Sequence, residues 1–332
     1  MNSKRRFLST LASSALGLSV GSVAGLRNIF AAGTQYPENP IRIIATYEPG
    51  GTNDIMARLA AQILHEAFGV GVTVENRPGA SGTLGTSLVA HAKSDGYTLL
   101  AGTFGPITTA PTLFTRLPYD PIKDFAPVAR LATVPNVIVV NPKSPSKTLV
   151  EFIANAKASA KPLTFGVVYG GTPQFLIKQL ELETGITLLD VPYKSGTAAL
   201  TDLVGNRLDI YVDNVPALLP LIKSDVIRAL ATANETRSPV LPEVPTTVEL
   251  GYPGAVISAW HGILATGGTP PAIVNLLNQK LVAALHTAAI RNRIETQGGI
   301  VIADTPSQFA SFIRSETVHW ASVAKQSGIV AA

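Results

Sequence analysis

The sequence predicts an α/β protein with largely parallel strands. Three observations carry this expectation. Short apolar runs alternate with glycine-rich turns and helical patterns along the chain. The run 53–68 places Ile55, Met56, Leu59, Ile63 and Phe68 on one helical stripe. One unit, a strand followed by Gly-Gly-Thr and a helix, occurs at Gly50 and again at Gly170.

The elements follow in order. "IRIIATY" leads through the first Gly-Gly-Thr into the helix over 53–68. "VTVEN" leads through "RPGASGT" (Arg77 to Thr83) to a helix near 83–92, and "YTLLAGT" ends in a turn near Phe104-Gly105-Pro106. "VIVVN", "LTFGVVY", "LLDVPY", "LDIYVDN" and "IRALATA" continue the strands. "PPAIVNLLNQKLVAALHTAAIRNRIETQG" reads as a long amphipathic helical stretch, opened by Pro270-Pro271 and stopped by Gly298-Gly299. "PVARLATVPNVIVVN" and "AVISAWHGILAT" have the length to cross between two lobes. The expected division is a discontinuous first domain, residues 36–131 plus 256–332, with residues 132–255 inserted as a second.

Composition narrows the function. Of 332 residues, 46% are hydrophobic and 14% charged, enough for a sizeable core. The net charge of +4 lies wholly in residues 1–33, which hold Lys4, Arg5, Arg6 and Arg27 and no acid; without these four, 22 basic residues face 22 acidic ones. No basic stripe is left for nucleic acid. Lys4-Arg5-Arg6 and "FLSTLASSALGLSVGSVAGL" have the form of an export signal over residues 1–33. "SKRRFLS" resembles the twin-arginine type, with Lys4 in place of its first arginine, and cleavage is expected near 31–33. The protein is therefore expected in the periplasm. It has no cysteine, hence no disulfide or thiolate chemistry.

The glycine loops suggest what the protein holds. The first turn of a helix leaves backbone N–H groups unpaired at its positive dipole end. Glycines let an anion approach that backbone closely. Thr52 or Asn53 is expected to cap the first helix, and Thr172 the second with Pro173 at its first position. "PYKSGTAAL" (Pro192 to Leu200) offers another helix start, with Ser195 and Thr197 as caps and Lys194 as a cation beside an anionic ligand or in solvent. "YVDN" (Tyr211 to Asn214) ends a strand with polar residues. The plain alternative is that both Gly-Gly-Thr stretches are only tight, well-capped turns.

Enzyme motifs are missing. Neither Gly-Gly-Thr is followed by the lysine of a phosphate loop. Gly79, Gly82 and Gly85 lack dinucleotide-binding spacing. His65, His91, His261, His286 and His319 stand isolated, without metal-ligand spacing. Ser144-Pro145-Ser146-Lys147 matches S-x-x-K and Lys194-Ser195-Gly196 resembles K-T-G, but Ser144 sits in a proline-broken turn and no S-D-N follows. A serine hydrolase-like enzyme is the remote alternative. No catalytic residue, cofactor or metal is expected.

"YPENPIRIIATYEPGGTNDIMARLAAQILHEAFGVGVTVENRPGASGTLGT" resembles the Bug family, extracytoplasmic solute-binding receptors of tripartite tricarboxylate transporters. "DGYTLLAGT", "VPYKSGTAALTDLVGNRLDIYVDN", "IRALATANETRSPVLPEVPTTVELGYPG" and "SAWHGILATGGTPPAIVNLLN" extend the resemblance over essentially the whole chain after residue 33. It implies a two-domain Venus-flytrap fold of the type II periplasmic binding protein class. It also implies a small carboxylate ligand, membrane permease subunits as partners and a monomeric receptor. A ligand-sensing subunit for a membrane signalling partner is the alternative that the same cleft would serve. Carried onto this chain, the first wall of the site would be Gly50, Gly51, Thr52, Asn53 and Asp54, with Ala80, Ser81 and Thr103 nearby. The opposing wall would be Tyr169, Gly170, Gly171, Thr172 and Pro173, with Lys194, Ser195 and Asp213. Three positions depart from the family pattern. Glu48 replaces a proline beside the anion seat, Gln174-Phe175 replaces a histidine-containing loop, and Asn206 stands where glycine is common.

Overall fold

A computed structural model describes residues 36–329. The export signal expected over residues 1–33 lies outside the described residues. From Pro37 onward the chain forms one unit.

The elements in chain order are β1 (Ile41–Ala45), α1 (Thr52–Phe68), β2 (Val72–Asn76), α2 (Thr83–Ala90), β3 (Thr98–Thr103), α3 (Ala110–Leu113) and β4 (Phe125–Val140). Then come α4 (Leu149–Ala158), β5 (Thr164–Val167), α5 (Thr172–Thr184), β6 (Leu189–Pro192), α6 (Gly196–Val204) and β7 (Ile210–Asn214). The rest are α7 (Val215–Lys223), β8 (Arg228–Thr232), β9 (Ser258–Thr266), α8 (Pro271–Leu285), α9 (Ala288–Glu295), β10 (Ile300–Val301) and α10 (Pro306–Gln326). A π-helical turn, Gly105–Thr109, joins β3 to α3.

The parallel expectation holds in two places. β1 runs parallel to β2 and β3, and β5 runs parallel to β6 and β7. Between them lie two antiparallel crossing strands. β4 pairs with β9 from Phe125↔Thr266 to Pro135↔Ser258. At the next residue it changes partners, pairing with β7 from Asn136 and with β8 from Val137. Val137, Ile138, Val139 and Val140 are fully buried, as the continuous apolar run of a central strand requires.

Asn136 sits at that exchange and is fully buried. Its Oδ1 accepts from Thr172 Oγ1 at 3.0 Å and from Asn214 Nδ2 at 2.9 Å. Its Nδ2 donates to the Ile257 carbonyl at 3.2 Å. One amide thus ties β4 to the start of α5, the end of β7 and the approach to β9. A buried amide in this position must be fully paired, and here both ends are.

The C-terminal region differs from the sequence reading in two ways. The long helical stretch divides into α8 and α9, because the Thr287 hydroxyl caps a fresh start by accepting from Ile290 N–H. α10 lies outside every predicted element. It opens on a reciprocal cap, with Thr305 accepting from Gln308 N–H and the Gln308 side chain from Thr305 N–H. Its buried stripe is Phe309, Ile313, Trp320 and Ala324. No helix among the described residues is long and apolar enough to cross a membrane.

Trp320 completes an aromatic triangle. Phe104 follows β3 and Phe175 lies in the first turn of α5; their rings stand 5.7 Å apart, and Trp320 lies 5.2 Å from Phe104 and 5.4 Å from Phe175. All three pairs meet edge to face, the favoured geometry. Trp320→Ala should therefore destabilise the fold by about 3–5 kcal/mol in a urea melt. Val318→Ala, at a side chain 74% exposed on the same helix, should change it by less than about 0.5 kcal/mol. Equal, small effects would show that α10 is only loosely attached.

Candidate functional site

The two Gly-Gly-Thr turns are built alike. Gly50 and Gly170 take positive φ, +86° and +80°, a backbone state that glycine adopts without strain. Gly51 and Gly171 follow in extended conformation as the N-caps of α1 and α5, and neither helix has a side-chain cap. In each turn the first glycine's N–H is held by the side chain four residues on. Gly50 N–H donates to Asp54 Oδ2 at 3.1 Å, and Gly170 N–H donates to Gln174 Oε1 at 2.8 Å. In α1 the N–H groups of Thr52, Asn53 and Asp54 are thereby left for an outside acceptor. In α5 Pro173 has no N–H and Gln174 N–H donates to the Gly171 carbonyl at 3.2 Å, which leaves that of Thr172.

The expected caps are displaced by other work. Asn53 bridges strands, accepting from Thr46 N–H at 2.9 Å and donating to the Ala101 carbonyl at 2.8 Å. Thr172 gives its hydroxyl proton to Asn136. Ser195 does cap α6, accepting from Ala198 N–H at 3.3 Å.

Both turns border one cavity of about 220 Å³. Ten of the sequence-predicted residues line it: Gly50, Gly51, Thr52, Asn53, Thr103, Gly171, Thr172, Pro173, Ser195 and Asp213. Six do not. Asp54 is buried behind the first turn, bound to Gly50 N–H, Asn76 and Arg58. Burial opposes its ionisation, but the hydrogen bonds from Arg58, Gly50 and Asn76 outweigh it and hold the carboxyl below its usual range. The Gly170 carbonyl accepts from Thr109 Oγ1 at 2.6 Å, pinning the second turn to the π-helical turn. Ser81 offers its carbonyl to the Tyr47 hydroxyl at 3.2 Å, and Ala80, Tyr169 and Lys194 are exposed.

The strand end Tyr211 to Asn214 reaches the cavity wall, and the sequence reading missed Tyr47, Gly105, Gly196 and His261 as wall residues. His261 is the most informative. It is 3% exposed, and neither ring nitrogen has a hydrogen-bond partner. Burial pulls its pKa down to about 3, so it is a neutral imidazole. Thr52 Oγ1 is likewise buried without a partner. Buried polar atoms that the protein leaves unpaired are costly, and these two groups face a space that a ligand can fill. The signal for His261 in the sequence was its place at the centre of "SAWHGILAT": β9 pairs His261 with Thr103 on β3.

The electrostatics are unusual for an anion seat. Among the described residues no lysine or arginine lines the cavity; its charged side chains there are Glu48 and Asp213. Asp213 Oδ2 accepts from the Tyr211 hydroxyl at 2.7 Å, and Oδ1 accepts from Asn214 N–H at 2.7 Å. Burial raises the Asp213 pKa, with the two hydrogen bonds acting against the rise. Burial and then the Asp213 charge hold the phenols of Tyr47 and Tyr211 protonated. Gly196, at the start of α6, lets the strand end approach: a Cβ there would meet Tyr211 Oη at 2.8 Å and Asp213 Oδ2 at 2.9 Å. Among the described residues no group of three or more His, Asp or Glu is placed to hold a metal. Ser144 lies away from the cavity, with its hydroxyl accepting from Ser146 N–H.

Known proteins were compared with this arrangement. The family described as tripartite tricarboxylate transporter family receptor matches residues 56–329. The protein BugT of Bordetella pertussis is 37% identical over 309 residues, covering 92% of this chain and 94% of BugT. Among solved structures, Rpa4515 of R. palustris with adipate superposes with a TM-score of 0.86 at 33% identity, covering 88% of this chain and 98% of that one. MatC of Rhodopseudomonas palustris with bound malate gives 0.81 at 31% identity, covering 87% and 99%. The architecture is the two-lobe α/β fold of the periplasmic binding proteins. Matched along nearly its whole described length, the chain belongs to the tripartite tricarboxylate transporter receptor family, as a Bug-type receptor rather than an enzyme.

Proposed function

We propose that this protein is a periplasmic receptor that captures a small carboxylate-bearing organic anion and delivers it, as a monomer, to the membrane permease subunits of a tripartite tricarboxylate transporter. The observation that carries the reading is the pair of uncapped helix starts, α1 and α5, on one cavity beside the unpaired Thr52 hydroxyl. Two such dipole ends stabilise a carboxylate without a cation. The adipate and malate held by the two R. palustris relatives support the same ligand class. The lobes run over residues 36–131 with 256–332 and over residues 132–255. The change of β4 partners between Pro135 and Asn136 supports that division. Closure then brings the two turns onto one ligand, and the ligand biases the closed state by touching both.

Within this reading Gly50, Gly51, Thr52 and Asn53 form the seat with Thr103. Gly171, Thr172, Pro173, Ser195 and Asp213 form the facing wall, and Asp54 and Gly170 brace the turns. Neutral His261 serves as a hydrogen-bonding contact that carries no charge.

Two outcomes follow. At Gly51 an added Cβ meets only the Glu48 carbonyl at 3.7 Å, and φ is negative. Gly51→Val should thus lower stability by about 1 kcal/mol or less. It should weaken binding of a stabilising carboxylate at least tenfold by calorimetry; parallel losses in both would favour a plain structural turn. The second outcome concerns pH. The unfolded His261 takes a proton below about pH 6.5, while the folded one resists until about pH 3, so its contribution to stability is lost as pH falls through that window. His261→Gln should flatten the acid side of the stability profile by up to about 1.4 kcal/mol per pH unit. Wild type and His261→Gln should share one shape of affinity against pH between 5 and 8. An inflection near pH 6.5 that only wild type shows would mean that an imidazolium binds the anion.

A further inference from the structure

The anion seat and the charges around it do not match a dianionic ligand. Among the described residues the cavity wall carries two carboxyl groups, Glu48 and Asp213, and no lysine or arginine. His261 adds no positive charge. The dipole ends of α1 and α5 compensate one carboxylate at the Gly-Gly-Thr turns. Asp213 stands at the end of β7 and against the first residue of α6. The α6 helix start, which could have seated a second ligand carboxylate, therefore already faces a carboxyl group of the protein.

Asp213 is also incompletely used. A carboxylate offers about four acceptor sites, and Asp213 receives one bond at each oxygen, from Tyr211 Oη and Asn214 N–H. Among the described residues no cation pairs with it. Its remaining acceptor capacity is available to a donor brought by the ligand, whereas a ligand carboxylate there would face a second carboxyl, at the cost of like-charge repulsion or of protonating one of the two.

We propose that Asp213 is the specificity-determining residue of this receptor, and that it selects a small carboxylate whose far end carries a hydrogen-bond donor or a cation over a dicarboxylate of the same length. The ligand class is thus an amino acid or hydroxy acid in chemical type, with its carboxylate at the α1 and α5 turns and its donor end on Asp213. This inference rests on the carboxylate-receptor reading above; the ligands of the relatives solved with adipate and malate are both dicarboxylates.

The test is titration calorimetry at pH 7.5 on ligand-stripped protein with probes matched in length. One series is 4-aminobutyrate, 4-hydroxybutyrate and succinate; another is 5-aminovalerate, 5-hydroxyvalerate and glutarate; an aromatic pair is 4-aminobenzoate and terephthalate. In at least one series the amino or hydroxy acid should bind at least tenfold tighter than its dicarboxylate. Asp213→Asn, nearly the same shape, should shrink or invert that ratio at least tenfold. The wild-type ratio stands as a test even if the variant folds poorly. A dicarboxylate that binds wild type as tightly as its partner, or a ratio that Asp213→Asn leaves unchanged, overturns the selectivity and leaves the receptor reading intact. Binding of no probe, together with no stabilisation by a wider set of carboxylates, overturns the receptor reading and this inference with it.

Discussion

The site depends on how the first glycine N–H of each Gly-Gly-Thr turn is satisfied. Asp54 and Gln174 reach back four residues to Gly50 and Gly170, and this internal bond closes the turn. Without it the positive-φ glycine would leave its N–H competing with the next groups for the same acceptor. With it the second glycine can stay extended, the helix begins at Thr52 or Thr172, and the N–H of that first threonine is left with no side-chain cap. The protein therefore leaves at two places the dipole ends that most helices cover with serine, threonine or aspartate. Both places border one cavity.

What brings the two turns together is the pair of crossing strands. β4 leaves the parallel set of β1, β2 and β3 and enters that of β5, β6 and β7, and Asn136 marks the residue at which it does so. Because Asn136 holds the Thr172 hydroxyl, the second turn is referenced to the crossing itself. The first turn is tethered instead through Asn53, to Thr46 N–H and the Ala101 carbonyl on β3. The Thr52 hydroxyl is unpaired, and this difference between two otherwise matched turns gives a ligand one free hydroxyl and one fixed one. Phe104, Phe175 and Trp320 meet in edge-to-face contact, so the helix that was not foreseen, α10, supports the end of β3 and the start of α5.

Much of this was legible in the sequence, and the reasons are local. A strand, two glycines, a threonine and a helical stripe specify a turn over a few residues, so α1, α5 and their glycines were read correctly. The caps were not, because Thr172 and Asn53 bond to partners distant in sequence, Asn136 and Ala101. His261 looked like an isolated histidine for the same reason: only pairing of β9 with β3 sets it beside Thr103. For Lys194 the sequence left open a cation at the site or a solvated side chain; the structure leaves it exposed, while its neighbour Ser195 caps α6 on the cavity wall. The antiparallel crossing strands were read as apolar runs without direction, since a fully buried strand has no alternating face to give its orientation away. Glu48, unexpected beside an anion seat, joins Asp213 as half of a charge pattern that only the assembled cavity discloses.

The central claim is that the two turns act as one seat. Backbone amide NMR reads it most directly. On titration with a carboxylate that stabilises the protein, the N–H signals of Thr52 and Thr172 should move together along one binding curve, to lower field as they gain an anionic acceptor. Movement of one turn alone, or saturation of the two at different ligand concentrations, would contradict a shared seat and leave two independent turns.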